Sequence, residues 1–82
     1  MAIMQDTRGE LRFVDIGDVV RLNRGKILWV VDRIYEVEMA RWASVRVRKV
    51  NNSIVTRWFP AHRLTFVAHA WGARVVESEE QQ

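Results

Sequence analysis

The chain has no cysteine, one proline and four glycines in 82 residues. Without cysteine there are no disulfides and no thiolate metal sites, so the fold must rest on packing alone. No apolar run reaches the roughly 20 residues that cross a bilayer as a helix. No repeat, no low-complexity tract and no amphipathic helix of ordinary length is evident. The opening MAIMQDTRGE lacks a charged start followed by an apolar stretch, so it does not read as a signal peptide. These absences point to a cytoplasmic protein with no membrane partner.

What is present suits one small domain. Hydrophobic residues make up 49% of the chain, with four Trp, three Phe and one Tyr, enough for a single core of this size. The net charge is +3, but it is unevenly spread. Glu77, Glu79 and Glu80 crowd the tail, while between Leu11 and Val76 12 Arg and Lys face five acids, a net of +7. Nearly all the bases are arginine, which forks onto phosphate or carboxylate and stacks on rings. A basic body with an acidic tail fits binding to nucleic acid or to an acidic protein surface. It also fits a surface that is merely solvated.

The stretch WASVRVRKVNNSIVTRWF, residues 42–59, reads as a β-hairpin turning at Asn51-Asn52. A two-residue loop there pairs Val50 with Ser53, Val47 with Thr56 and Val45 with Trp58. Trp58 is then a core anchor. On the other face Arg46 opposes Arg57, with Arg48 diagonal to them and Val55 and Phe59 alongside. Like charges directly opposite each other destabilise a strand pair, so three arginines on one face suggest an anionic partner. Lys49 and Arg63 lie near the ends of this patch. Phe59 adds a ring for stacking, or alternatively packs as a cover residue.

Elsewhere the chain reads as short strands and turns. Residues 1–10 form a flexible segment or an added edge strand, with a turn over Asp6 to Glu10. A strand begins at Arg12 to Asp15. Ile16-Gly17-Asp18 is a turn, Val19 to Leu22 a strand with Arg21 outward, and Asn23 to Lys26 a second turn with Gly25 available for positive φ. Ile27 to Glu38 is a long β-rich run whose broken alternation predicts a bulge near Asp32-Arg33. Pro60 ends the hairpin's second strand, because it has no amide to donate. Ala61 to Leu64 suits one 3₁₀ turn and Thr65 to Ala68 a last short strand. Trp71 is a candidate exposed interface residue, Ala73 to Val76 a strand stub, and residues 71–82 an extension with an acidic tail.

Ile16-Gly17-Asp18-Val19-Val20-Arg21-Leu22, then Gly25 and the long strand, resemble the opening of SH3-like and Tudor-like barrels. KOW-type modules and small bacterial proteins beginning Gly-Asp-Val-Val-Arg-Leu are among them. Trp58-Phe59 with Leu64 resembles the strand–3₁₀–strand exit of such barrels. The resemblance covers roughly residues 14–68. It implies an all-β, five-stranded SH3-like barrel over residues 11–70 with one 3₁₀ turn before the last strand. It also implies a binding module for RNA, DNA, protein surfaces or peptides.

Signals for catalysis are sparse. His62 and His69 match no close ligand pair, and a zinc site needs three or four ligands. Ser44, Ser53 and Ser78 lack the strand–turn–helix setting of an activated serine. Asp15, Asp18 and Asp32 are scattered, and there is no glycine-rich phosphate loop. The expectation is a non-enzyme without metal or cofactor, binding through Arg46, Arg48, Lys49, Arg57, Phe59 and Arg63. Without a recognition helix to enter a major groove, single-stranded or structured RNA suits it better than duplex DNA. The alternative is a small accessory or regulatory protein, of the kind phages encode, docking on an acidic protein surface. Valine-rich edge strands leave a dimer open.

Overall fold

A computed structural model describes residues 2–36 and 39–69, residue 53 by its backbone alone. The readings for Trp71, the Ala73–Val76 stub and the acidic tail lie outside these residues. The described chain is all-β: β1 (Ala2–Asp6), β2 (Leu11–Val14), β3 (Val19–Leu22), β4 (Leu28–Tyr35), β5 (Ser44–Lys49), β6 (Asn52–Pro60), a 3₁₀ turn (Ala61–Arg63) and β7 (Leu64–Ala68). No helix among the described residues is long and apolar enough to cross a membrane.

The five-stranded barrel needs correction on two points. Among the described residues there are seven strands, in the order β2-β1-β7-β3-β4-β5-β6, and their ladders leave β2 and β6 as edges without closing. All neighbours are antiparallel except β1 and β7, which run parallel. The extra pair is the N-terminal hairpin β1–β2. It alternates cleanly, with Ala2, Met4 and Asp6 buried and Ile3 and Gln5 outward. Its turn is organised by Asp6. Oδ1 accepts the backbone N–H of Arg8 at 2.8 Å and of Glu10 at 3.0 Å, and Oδ2 accepts Arg12 Nε at 2.9 Å. The Arg12 hydrogen bond, with help from the two amides, holds the Asp6 carboxyl below its ordinary value of 3.8, against the opposing effect of burial.

One core serves the whole sheet. Ala2 and Met4 of β1, Val14 of β2, Val20 of β3, Trp29 and Val31 of β4, Val45 and Val47 of β5, Ala61, and Leu64 and Phe66 of β7 form a single buried cluster. A flat seven-stranded sheet would be about 29 Å wide at the usual strand spacing. Its two halves can share a core only because the sheet curls around it.

Local chemistry sets the turns. Gly17 N–H donates to Val31 O and Val31 N–H to Asp18 O, both at 2.8 Å, which stitches the 15–18 turn to β4. In the β3–β4 turn the left-handed residue is Arg24, at φ 65°, and not Gly25. Gly25 is needed for a different reason: a Cβ there would stand 3.1 Å from Leu22 O and 3.2 Å from Leu22 Cβ. Asn23 ties this turn to the 3₁₀ turn. Its Nδ2 donates to His62 O at 2.9 Å, and its Oδ1 accepts the Thr65 hydroxyl at 2.7 Å.

Two irregularities set the faces of β4–β6. Asp32 is bulged out of the β4–β5 ladder, since Val31 pairs with Val47 but Arg33 with Arg46. The bulge near Asp32-Arg33 read from the broken alternation is therefore present. It lets Trp29, Val31 and Ile34 all face the core. The hairpin register, in contrast, differs from the expected one. Lys49 pairs with Asn52, and the ladder resumes only at Arg48 with Thr56, leaving three residues of β6 without partners. Asn52 Oδ1 accepts the Ile54 N–H at 3.3 Å, a side-chain-made turn that holds the extra residues. Val47 thus faces Arg57, Arg46 faces Trp58 and Val45 faces Phe59. A one-residue slip exchanges the faces of a strand. Trp58 is therefore no core anchor but 50% exposed, and Phe59 turns inward against the core cluster.

Candidate functional site

The corrected register assembles a new surface on the side of β4–β6 away from the core. Three adjacent strands place Arg33, Arg46 and Trp58 in one row. A second row runs Val30, Arg48, Thr56, and a third runs Tyr35, Ser44, Pro60. Trp58 and Tyr35 are 50% and 60% exposed. Two rings thus flank three arginines on one sheet face.

Arg46 is the centre of this face. Its Nη2 donates to Asp32 Oδ2 at 2.5 Å, both side chains being about one third exposed. Its guanidinium carbon lies 6.0 Å from the centroid of the Trp58 ring. Its Nε is buried and has no acceptor among the described residues. Arg33 stands directly opposite, a like-charge pairing that costs stability by itself. The Asp32 carboxylate, released from the ladder by its bulge, offsets that repulsion.

The sequence-predicted residues divide. Arg46 and Arg48 share this outer face as expected. Arg57, expected opposite Arg46, belongs by register to the core-side parity. It is exposed near the sheet edge and donates to the Thr56 carbonyl at 2.8 Å. Phe59, expected among the arginines, packs edge-on against Trp29 with centroids 6.2 Å apart. Lys49 is also on the core-side parity, its Nζ 6.0 Å from the Trp29 ring. Arg63 is exposed in the 3₁₀ turn. Sequence reasoning missed Arg33, Tyr35 and Trp58. The signal for the first two was the bulge, which puts Arg33 and Tyr35 on the same parity as Arg46 through the ladder. For Trp58 the signal was the Asn52 side chain, able to bind its own backbone and shift the register.

A separate groove of about 190 Å³ opens between β1, the β3–β4 turn and the 3₁₀ turn, with Ile3, Leu11, Trp42, His62 and Leu64 among its walls. The Trp42 and His62 rings are 4.9 Å apart, and the Arg41 guanidinium lies 5.7 Å from the Trp42 centroid. His69 Nδ1 lies 3.5 Å from Asp18 Oδ1. Among the described residues no group of three or more His, Cys, Asp or Glu is placed to hold a metal ion.

No family model, no curated protein and no solved structure matches this chain.

Proposed function

We propose that this chain is a non-catalytic binding module of SH3-like build, and that the outer face of β4–β6 takes single-stranded or structured RNA. The build is supported by strand succession. β3 to β7 follow one another as the five strands of a small barrel do, with the 3₁₀ turn before β7 and β7 returning antiparallel to β3. The row Arg33–Arg46–Trp58, with Tyr35 beside it, carries the reading. Stacking on rings needs exposed π faces, and phosphate neutralisation needs arginines within a nucleotide's reach of them. In this reading Trp58 and Tyr35 stack on bases, and Arg33 and Arg48 meet phosphates. Arg46 lies between Arg33 and Trp58, its charge offset by Asp32. Arg57 and Arg63 add to the field that attracts a polyanion without belonging to the face.

A second reading rests on the Asp32–Arg46 pair. Neutralising the central arginine leaves an exposed Trp and Tyr among partly compensated charges, which is the composition of a protein-binding hot spot. Salt titration separates the two. Tryptophan fluorescence would be followed as single-stranded RNA, single-stranded DNA or duplex DNA is added at rising salt. Micromolar binding near physiological salt, with a log–log slope near −1.4 for about two phosphates, supports the RNA reading. Retention only at very low salt, unchanged by Trp58→Ala, would sink it and favour the acidic protein surface.

A further inference from the structure

At the opposite end of the strand order, the N-terminal hairpin has an edge of unusual character. Sheet edges are commonly blunted by lysine, proline or inward-pointing charge. β2 carries one such charge, Arg12, on the core side, but its outward side chains are Leu11 and Phe13, 71% and 66% exposed. Across the β1–β2 ladder Phe13 pairs with Ile3, itself 43% exposed. Three apolar side chains therefore stand together on the outer face of this hairpin.

The backbone adds a second observation. Asp6 N–H donates to Glu10 O at 2.7 Å, which makes Asp6–Glu10 a hydrogen-bonded pair of the antiparallel ladder. Such pairs alternate with non-bonded ones. Met4–Arg12 and Ala2–Val14 are then bonded pairs, and Gln5–Leu11 and Ile3–Phe13 are not. The N–H and C=O groups of Leu11 and Phe13 consequently point away from β1. Among the described residues no strand lies beyond β2 to receive them. The two residues whose backbone groups meet no strand among the described residues are the same two with exposed apolar side chains.

We propose that β2 pairs antiparallel with β2 of a second copy of this chain, about a two-fold axis at Arg12. In that register Leu11 opposes Phe13 of the other copy, and each such pair exchanges two backbone hydrogen bonds. The apolar sides of the two hairpins merge into one face. Charges fit the same register. Glu10 of each copy lies diagonal to Arg12 of the other, within reach of a long side chain. The two facing arginines are already bonded to their own Asp6. Sliding the register by one residue would mix apolar and polar faces, and centring it on Phe13 would set Leu11 against Asp15. The contact is one strand pair wide, at the weak end of specific association, so dissociation should be on the order of 100 µM.

Sedimentation from about 10 µM to about 1 mM, bracketing that constant, tests this. The mass should rise from 9.7 kDa toward twice that value. Phe13→Lys should keep the protein monomeric across the range with an unchanged melting curve. Ile54→Lys, at another exposed apolar position far along the strand order, should leave association intact. Register is read by cysteine, which the chain naturally lacks. Arg12→Cys should oxidise to a linked dimer, because facing non-bonded residues stand about 4.5 Å apart at Cα, within disulfide reach. Leu11→Cys, facing Phe13, should not. A monomer at 1 mM, equal loss of association in Phe13→Lys and Ile54→Lys, or equal cross-linking at positions 11 and 12 would each overturn the proposal.

Discussion

Arg46 stands directly across the β5–β6 ladder from Trp58, its guanidinium 6.0 Å from the ring centroid. This pairing fixes which face of the hairpin is wet. It also reverses the roles of the two aromatic neighbours in β6: Trp58 is half exposed beside an arginine, and Phe59 is turned onto Trp29.

Mutating the two rings should therefore have opposite consequences. We expect Trp58→Ala to cost under about 1 kcal/mol, the range of an exposed cation–π contact. Phe59→Ala should cost at least about 2 kcal/mol, toward the low end for a Phe because the side chain is only half-buried. Denaturant melts of both variants decide this. A larger loss for Trp58→Ala would mean that the register places Trp58 in the core after all. Binding should show the converse: Trp58→Ala weakens RNA by about 1–3 kcal/mol, one stacked base, and folded Phe59→Ala binds normally.

The β3–β4 turn holds an arginine where a glycine would be expected. An L-residue in the left-handed region costs about 1–2 kcal/mol. Arg24→Gly should raise stability by up to about 1 kcal/mol, the gain being trimmed by glycine's greater freedom in the unfolded chain. Gly25→Ala should lower it by about 1 kcal/mol or more, since its Cβ would meet the Leu22 backbone and Cβ at 3.1 and 3.2 Å. Equal melting temperatures for the two variants would contradict this division of labour.

How much of this was legible in the sequence can be read from particular residues. Pro60, the 3₁₀ turn after it and the bulge at Asp32 follow from local rules: a missing amide, a short spacing and a broken alternation. The strands rich in Val and Ile did too. The hairpin register was not legible, because it depends on whether the Asn52 side chain or the opposite strand satisfies the Ile54 amide. β1 was obscured by Gln5 and Asp6, poor strand formers that are held by Arg12 and by pairing with β7. Positive φ at Arg24 inverted a reasonable inference about Gly25, because close approach and not dihedral freedom demanded that glycine. The candidate site inherited the register error: two of its six residues stayed together on the outer face, and three others joined them.

Asp6 should make the hairpin sensitive to acid. Its carboxyl is held below the ordinary 3.8 by the Arg12 hydrogen bond and the Arg8 and Glu10 amides. A depressed value in the folded state means that the unfolded chain takes up the proton first. The contribution is thus complete above the unfolded value and is lost as pH falls through the folded one. Asp6→Asn removes this dependence. The stability difference between wild type and Asp6→Asn, followed by urea melts, should be constant from neutral pH to about pH 5 and shrink below the ordinary carboxylate range. A difference that persists undiminished at pH 2 would show that the carboxylate's charge does not hold the turn.

Asp32 offers the sharpest test of the outer face, because the two functional readings assign it opposite effects. Its pairing with Arg46 is partly solvated, so Asp32→Asn should cost only about 0.5–1 kcal/mol of stability. The substitution also removes the negative charge bonded to Arg46 on this face. If the face binds a polyanion, freeing Arg46 adds a phosphate contact: affinity rises severalfold and the salt slope steepens by about 0.7 for a single strand. If the face docks on protein through a fixed Trp58, releasing Arg46 loosens the ring's neighbour and binding weakens, with little change in salt dependence. Titrating wild type and Asp32→Asn with the same single-stranded RNA at three salt concentrations distinguishes them. A variant that binds RNA less tightly at every salt would mean that Arg46 serves to position Trp58 and meets no phosphate itself.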